Sequence, residues 1–111
     1  MIEVTIMQHL ESKLDVPVFM EKPEPLLLEY VLFEKTGGGG ANKIGTATFA
    51  FQSYSQSLYK AALLNEQVKL AVESLTEQNE VSGVRLNSDY NFTDTTTKEY
   101  RYQAVFDINH Y

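Results

Sequence analysis

The apolar residues of this chain alternate in ways that predict an α+β fold: a mixed or antiparallel sheet of about five strands, with two helices packed on one face. Three observations lead there. Two stretches repeat apolar residues at helical spacing, four or more others alternate at period two, and the order along the chain is helix, strands, long helix, strands. At 111 residues the chain suits a single domain, residues 1–111. Hydrophobic residues make up 43% and charged residues 22%, ordinary globular values that argue against wholesale disorder.

Residues 2–14 read as the first helix. Ile2, Ile6, Leu10 and Leu14 recur every four positions with Met7 beside them, while Glu3, Gln8, Glu11 and Lys13 lie elsewhere. Asp15 and Pro17 close it, because proline disfavours helical geometry in the residue before it. Residues 16–20 form a short extended run, and Pro17 suits a strand start or an edge. Pro23 and Pro25 punctuate the following turn.

Residues 26–36 are expected to form a long strand. Leu28, Tyr30 and Leu32 fall on one side of it and Leu27, Val31 and Phe33 on the other, so both faces are at least partly covered. Gly37 to Gly40, with Ala41 and Asn42, then read as a flexible hairpin loop. The return strand spans residues 43–53, where Ala47, Phe49 and Phe51 alternate with Thr46, Thr48 and Gln52.

Ser53 and Ser55 offer hydroxyl caps to a long helix over residues 56–77. Leu58, Ala61, Ala62, Leu64, Val68, Ala71, Val72 and Leu75 mark its dry side, and Glu66, Lys69, Glu73 and Glu77 its wet side. Residues 81–87 form another short strand, residues 89–98 a polar Thr-rich loop, and residues 99–108 a last strand. In that strand Tyr100, Tyr102, Ala104, Phe106 and Ile108 alternate with Arg101, Gln103 and Asp107, and only Val105 breaks the polar side.

Composition narrows the function classes. The absence of cysteine removes disulfides, thiolate metal sites and Cys nucleophiles. Fifteen acidic against nine scattered basic residues, a net charge of −6, repel duplex nucleic acid and anionic membranes. Neither sequence-specific nucleic acid nor a membrane is therefore an expected partner. No apolar run approaches a membrane span, and no Lys/Arg-led apolar segment at the start predicts a secretory signal.

The candidate catalytic groups do not assemble into a motif. His9 and His110 are the two histidines, with no third ligand at metal spacing, and read as surface or half-buried side chains. Asp89, Asp94, Glu99 and Asp107 invite a metal-nuclease reading, but two sit in the expected loop and none belongs to a D-x-D or E-x-K core. Ser53, Ser55 and Ser57 lack the G-x-S-x-G context of a nucleophile turn, and capping accounts for them. Gly37 to Gly40 precede a strand, where the phosphate-binding glycine patterns need a helix. They read either as a plain hairpin tip or as a segment that orders against a partner. Tyr100, Tyr102 and Tyr111 fit strand and core roles as well as interface roles. No enzymatic activity and no cofactor or metal is expected.

Several stretches resemble one family. They are Phe19-Met20-Glu21, then Glu29-Tyr30-Val31-Leu32-Phe33-Glu34-Lys35-Thr36-Gly37-Gly38, then Ala47-Thr48-Phe49-Ala50. Tyr54 to Asn65 and Arg101 to Ile108 complete the set. From about residue 16 onward the chain is similar to the small tail-completion proteins of long-tailed phages and prophages of Gram-positive bacteria, also described as tail terminators or head–tail joining proteins. The resemblance implies a non-enzymatic virion protein, made in the host cytoplasm, that closes into a homo-oligomeric ring, commonly a hexamer. That ring stops the tail tube and docks to the head connector, so its partners would be itself, the tail-tube protein and head-connector proteins. An acidic lumen would not hold passing DNA. The candidate contact residues are Thr36, Gly37, Gly38, Gly39, Gly40, Ala41, Asn42 and Lys43. The alternatives are a small ligand-binding or regulatory α+β module and a small hydrolase or nuclease. An enclosed apolar pocket would favour the first of these, and a cluster of perturbed carboxylates the second.

Overall fold

The computed structural model describes residues 1–41 and 44–111. Among these, helix α1 (Ile2–Lys13) leads to a two-residue strand β1 (Val18–Phe19), then to the long strands β2 (Tyr30–Ala41) and β3 (Ile44–Ser55). Helix α2 (Leu58–Glu73) runs into a 3₁₀ turn at Ser74–Glu77, and strands β4 (Val81–Asn91) and β5 (Tyr100–His110) finish the chain. The strands form one sheet in the order β1-β2-β3-β5-β4. β1 pairs parallel with β2, and every other neighbouring pair is antiparallel, so the sheet is mixed. The α+β class with two helices and about five strands is the one that the periodicity predicts.

Alternation along the strands sorts their side chains onto two faces. The inner face carries Val31 and Phe33 from β2, Ala47, Phe49 and Phe51 from β3, and Ala104, Phe106 and Ile108 from β5, all buried. Ile2, Ile6 and Leu10 of α1 and Leu64, Val68, Ala71 and Val72 of α2 close over them to make one core. The phenyl rings form its centre. Phe51 lies 5.7 Å from Phe33, 6.3 Å from Phe49 and 5.9 Å from Phe106, ring centre to ring centre.

Element limits differ from those read in the sequence, and each difference has a physical cause. β2 starts at Tyr30, not at residue 26, because its partner β3 ends at Ser55 and turns into α2. Leu26, Leu27 and Leu28 therefore lie outside the sheet and are exposed. The glycines do not form a loop. Gly37 to Ala41 continue β2, paired with residues 44–48 of β3, after a bulge between Lys35 and Gly37. Glycine weakens a strand but is tolerated at a sheet edge where a neighbour supplies the ladder. Asn42 and Lys43 lie outside the described residues. α2 begins at Leu58, and Ser57 caps it by accepting a hydrogen bond from the Lys60 amide at 3.1 Å. Ser53 and Ser55 are still in β3. β4 extends through the polar residues 88–91 because β5 offers them a continuous partner.

The aromatic centre sets a measurable cost. Phe51→Ala removes a fully buried ring that touches both neighbouring strands, so it should destabilise the fold by about 3–5 kcal/mol. Urea unfolding followed by circular dichroism checks this. A loss below about 1 kcal/mol would mean that the inner face is not packed as described.

Candidate functional site

Of the carboxylates considered for metal chemistry, Asp89 lies on β4 and Asp107 on β5, while Asp94 and Glu99 face each other in an isolated bridge in the connection between those strands; each side chain has its own partner. Asp89, on β4, accepts from Asn65 and Lys69 of α2, both at 2.6 Å. Asp94 accepts from the backbone amides of Thr96 and Thr97, and these bonds hold its carboxyl below the usual range. Glu99 pairs with Lys22 at 3.1 Å. Asp107 accepts from Thr48, Asn87 and Arg85 at 2.8, 3.2 and 3.0 Å, and those bonds likewise lower its pKa. Among the described residues no three His, Cys, Asp or Glu side chains gather where they could hold a metal ion.

His9 is more deeply placed than a surface or half-buried residue, at 4% exposure. Its Nε2 lies 2.8 Å from the Ser74 hydroxyl, and its Nδ1 lies 3.0 Å from the Gln78 amide nitrogen. The Ser74 hydroxyl donates to the Ala71 carbonyl at 2.7 Å, so its oxygen is left to accept from the imidazole. Gln78 then donates to Nδ1. The ring is thus neutral with its hydrogen on Nε2, wired in the opposite sense from a base that takes a proton from serine. What the contact does is join α1 to the end of α2. Sequence spacing gave no sign of it, because Ser74 and Gln78 meet His9 only after the helices pack.

His110 sits at the far end of β5, its ring over Gly45, where a Cβ would come within 3.0 Å. Ser55 donates to Glu29 at 2.8 Å, and Ser57 is the helix cap. The Ser53 hydroxyl is buried and has no hydrogen-bond partner among the described residues. Tyr100 and Tyr102 are half-buried, and Tyr111 is exposed.

The outer face of the sheet holds polar groups that the sequence left unmarked. Gln52, Tyr54 and Gln103 are buried there although no helix covers them. Gln52 donates to Gln103 at 2.8 Å, Tyr54 donates to Gln52 at 2.9 Å, and Gln103 donates to the Tyr90 hydroxyl. Tyr30 stacks on Tyr54 at 4.4 Å, and Lys22 and Arg101 lie over the Tyr54 ring at 5.8 and 5.6 Å. Burial pushes the Tyr30 phenol up to about 12, with the nearby Tyr54 and Glu99 adding to it. The signal that could have found this layer is the pair of glutamines opposite each other on adjacent strands.

An open groove of about 460 Å³ runs between the end of α1 and α2, lined by Lys13, Leu14, Asp15, Gln67, Leu70, Ala71 and Ser74. Charged groups do not converge on it beyond Lys13 and Asp15.

The expected contact segment is at a sheet edge. Residues 34–40 are all exposed. β1 covers β2 only at Val31 and Leu32, so the rest of that edge is open. β4 forms the opposite edge, and nearly all its outward residues are exposed or half-buried. β2 and β4 run in opposite directions across the sheet. No protein-family model matches the chain, and no curated protein matches it.

The His9 arrangement gives the stability a pH dependence. Burial lowers the His9 pKa below 6.5 in the folded chain. The unfolded chain takes up that proton at about 6.5. Stability is therefore full above that pH and falls as pH drops through it toward the folded value. The urea midpoint should decline from pH 7 to pH 5, and His9→Gln should flatten that decline. An identical slope in the variant would remove His9 as its source.

Proposed function

We propose that this chain is a non-enzymatic structural subunit of a phage or prophage tail. Copies of it would close into a ring, of about six by the resemblance, that ends the tail tube and joins it to the head connector. The observation that carries the assembly reading is the sheet with two open, oppositely directed edges. A closed ring needs a heterologous interface, one patch meeting a different patch on the next copy, and two unlike edges on one rigid sheet supply such a pair. The resemblance of several stretches to tail-completion proteins supports the tail context. Consistent with a structural role, the carboxylates that would serve hydrolysis are each committed to structural hydrogen bonds.

Native mass spectrometry over a concentration series, alone and with the cognate tail-tube protein, tests the reading. The expected outcome is a closed oligomer near six copies, or capped tube ends visible by negative-stain microscopy. A strict monomer that ignores the tube at high concentration would overturn it and turn attention to the groove beside α1 as a ligand site.

A further inference from the structure

We infer that copies of this chain meet edge to edge: β4 of one copy pairs antiparallel with the free part of β2 of the next, in the register that sets Lys35 opposite Asp89. This rests on the ring reading above and says which surfaces form the ring contact.

Direction and length come first. β2 pairs antiparallel with β3, β3 with β5, and β5 with β4, so β2 and β4 have opposite directions. A second copy placed beside the first in the same orientation therefore offers an antiparallel partner. The free edge of β2 is residues 33–41, because β1 occupies the position beside Leu32. In the proposed register these residues face 91 down to 83 of β4, a segment of the same length. The neighbour's β4 ends at Asn91, where β1 would otherwise block it.

Side chains agree with that register. Lys35 and Asp89 both belong to the inner face, since Lys35 pairs with Phe49 and Asp89 with Ala104. Asp89 already accepts from Lys69, which also pairs with Glu66, so Lys35 would extend an existing ion-pair chain. Opposite charges facing each other across strands stabilise a pairing, and like charges disfavour it. Gly38 then faces Leu86, an inner-face leucine that is 43% exposed in the single subunit. In that subunit the Lys35 stem fills the space over Gly38, with Cε 2.9 Å from where a Cβ would stand. Drawing Lys35 to Asp89 opens the space for Leu86.

The irregularities match as well. Bulges on edge strands ordinarily guard against pairing, because they break the ladder. β2 shifts register between Lys35 and Gly37, and β4 between Leu86 and Ser88. In the proposed register Thr36 faces Ser88 and Gly37 faces Asn87, so the two bulges lie side by side. Each edge would reject a regular strand and accept the other. The second shift of β4, between Val81 and Gly83, falls at the boundary of the paired segment.

The absence of cysteine makes a direct test clean. Gly39 and Arg85 face each other on the outer side in this register, and a Cβ at Gly39 meets nothing within 4 Å. Gly39→Cys with Arg85→Cys, oxidised under conditions where the oligomer forms, should give a ladder of covalent multimers on a non-reducing gel. Reductant should collapse it. Gly39→Cys with Leu86→Cys, on opposite faces, should stay monomeric on the same gel. Lys35→Glu should raise the concentration of half-assembly about tenfold without moving the monomer's urea midpoint. A ring seen by native mass spectrometry with no Gly39–Arg85 link, or equal linking by both cysteine pairs, overturns the edge pairing and leaves the ring reading standing. A chain that stays monomeric with and without tube protein overturns both.

Discussion

The inner face of β3 is the contact on which the other elements depend. β3 lies at the middle of the sheet, hydrogen-bonded to β2 on one side and β5 on the other along its whole length. Phe49 and Phe51 project from it into the core, where α2 crosses β3 and β5. Burying each ring is worth about 1.5–3 kcal/mol, a large share of the net stability of a domain this size. α1 is only 12 residues long, too short to hold alone. It is fixed because Ile6 and Leu10 reach the same core and because His9 bonds to Ser74 and Gln78. β1 is only two residues long and depends on β2 already being in place.

The outer face follows a different rule. A sheet with helices on one side usually leaves its other side wet and polar. Here one end of that side is dry, and the groups made dry are glutamines and tyrosines. Their gain over well-packed apolar residues is small, since a net hydrogen bond is worth only about 1 kcal/mol. Leaving one unpaired is costly, which makes the network sensitive to register. A one-residue slip of β5 against β3 would separate Gln52 from Gln103 and turn Phe106 toward solvent. The amide pair thus reinforces the register that the phenylalanines require.

The core was legible in the sequence. The period-two run Ala47-Phe49-Phe51, the matching run Ala104-Phe106-Ile108 and the helical spacing of Leu64, Val68, Ala71 and Val72 mark the residues that meet inside. Strand limits were less legible, because a strand ends where its partner ends. Leu26 to Leu28 have strand composition but no neighbour to pair with, and residues 88–91 have loop composition but do have one. In the candidate contact segment it was the local structure that was misread. Gly37 to Gly40 read as a flexible tip, since glycine carries no side-chain signal, while the ladder that holds them comes from Gly45 to Thr48 across the hairpin. The His9 contacts were illegible for a similar reason: both partners, Ser74 and Gln78, are polar, distant from His9 in sequence and brought to it only by helix packing.

That glycine run also bears on how such an edge is used. A strand of β-branched residues at the same place would present a flat, apolar, unpaired edge, and such edges aggregate. Glycines lower that risk in the free chain, because they bring neither apolar surface nor strand preference. They also let a neighbouring strand approach without side-chain clashes, and Gly39 has open space around its missing Cβ. Selectivity then has to come from what flanks them. Lys35 and the bulge beside it stand at one end of the run, where a partner must bring an acidic residue and a matching irregularity. β4 has both, in Asp89 and in the shift between Leu86 and Ser88. Under the proposed edge pairing, such an edge would resist indiscriminate pairing when alone and select its partner by charge and by bulge position.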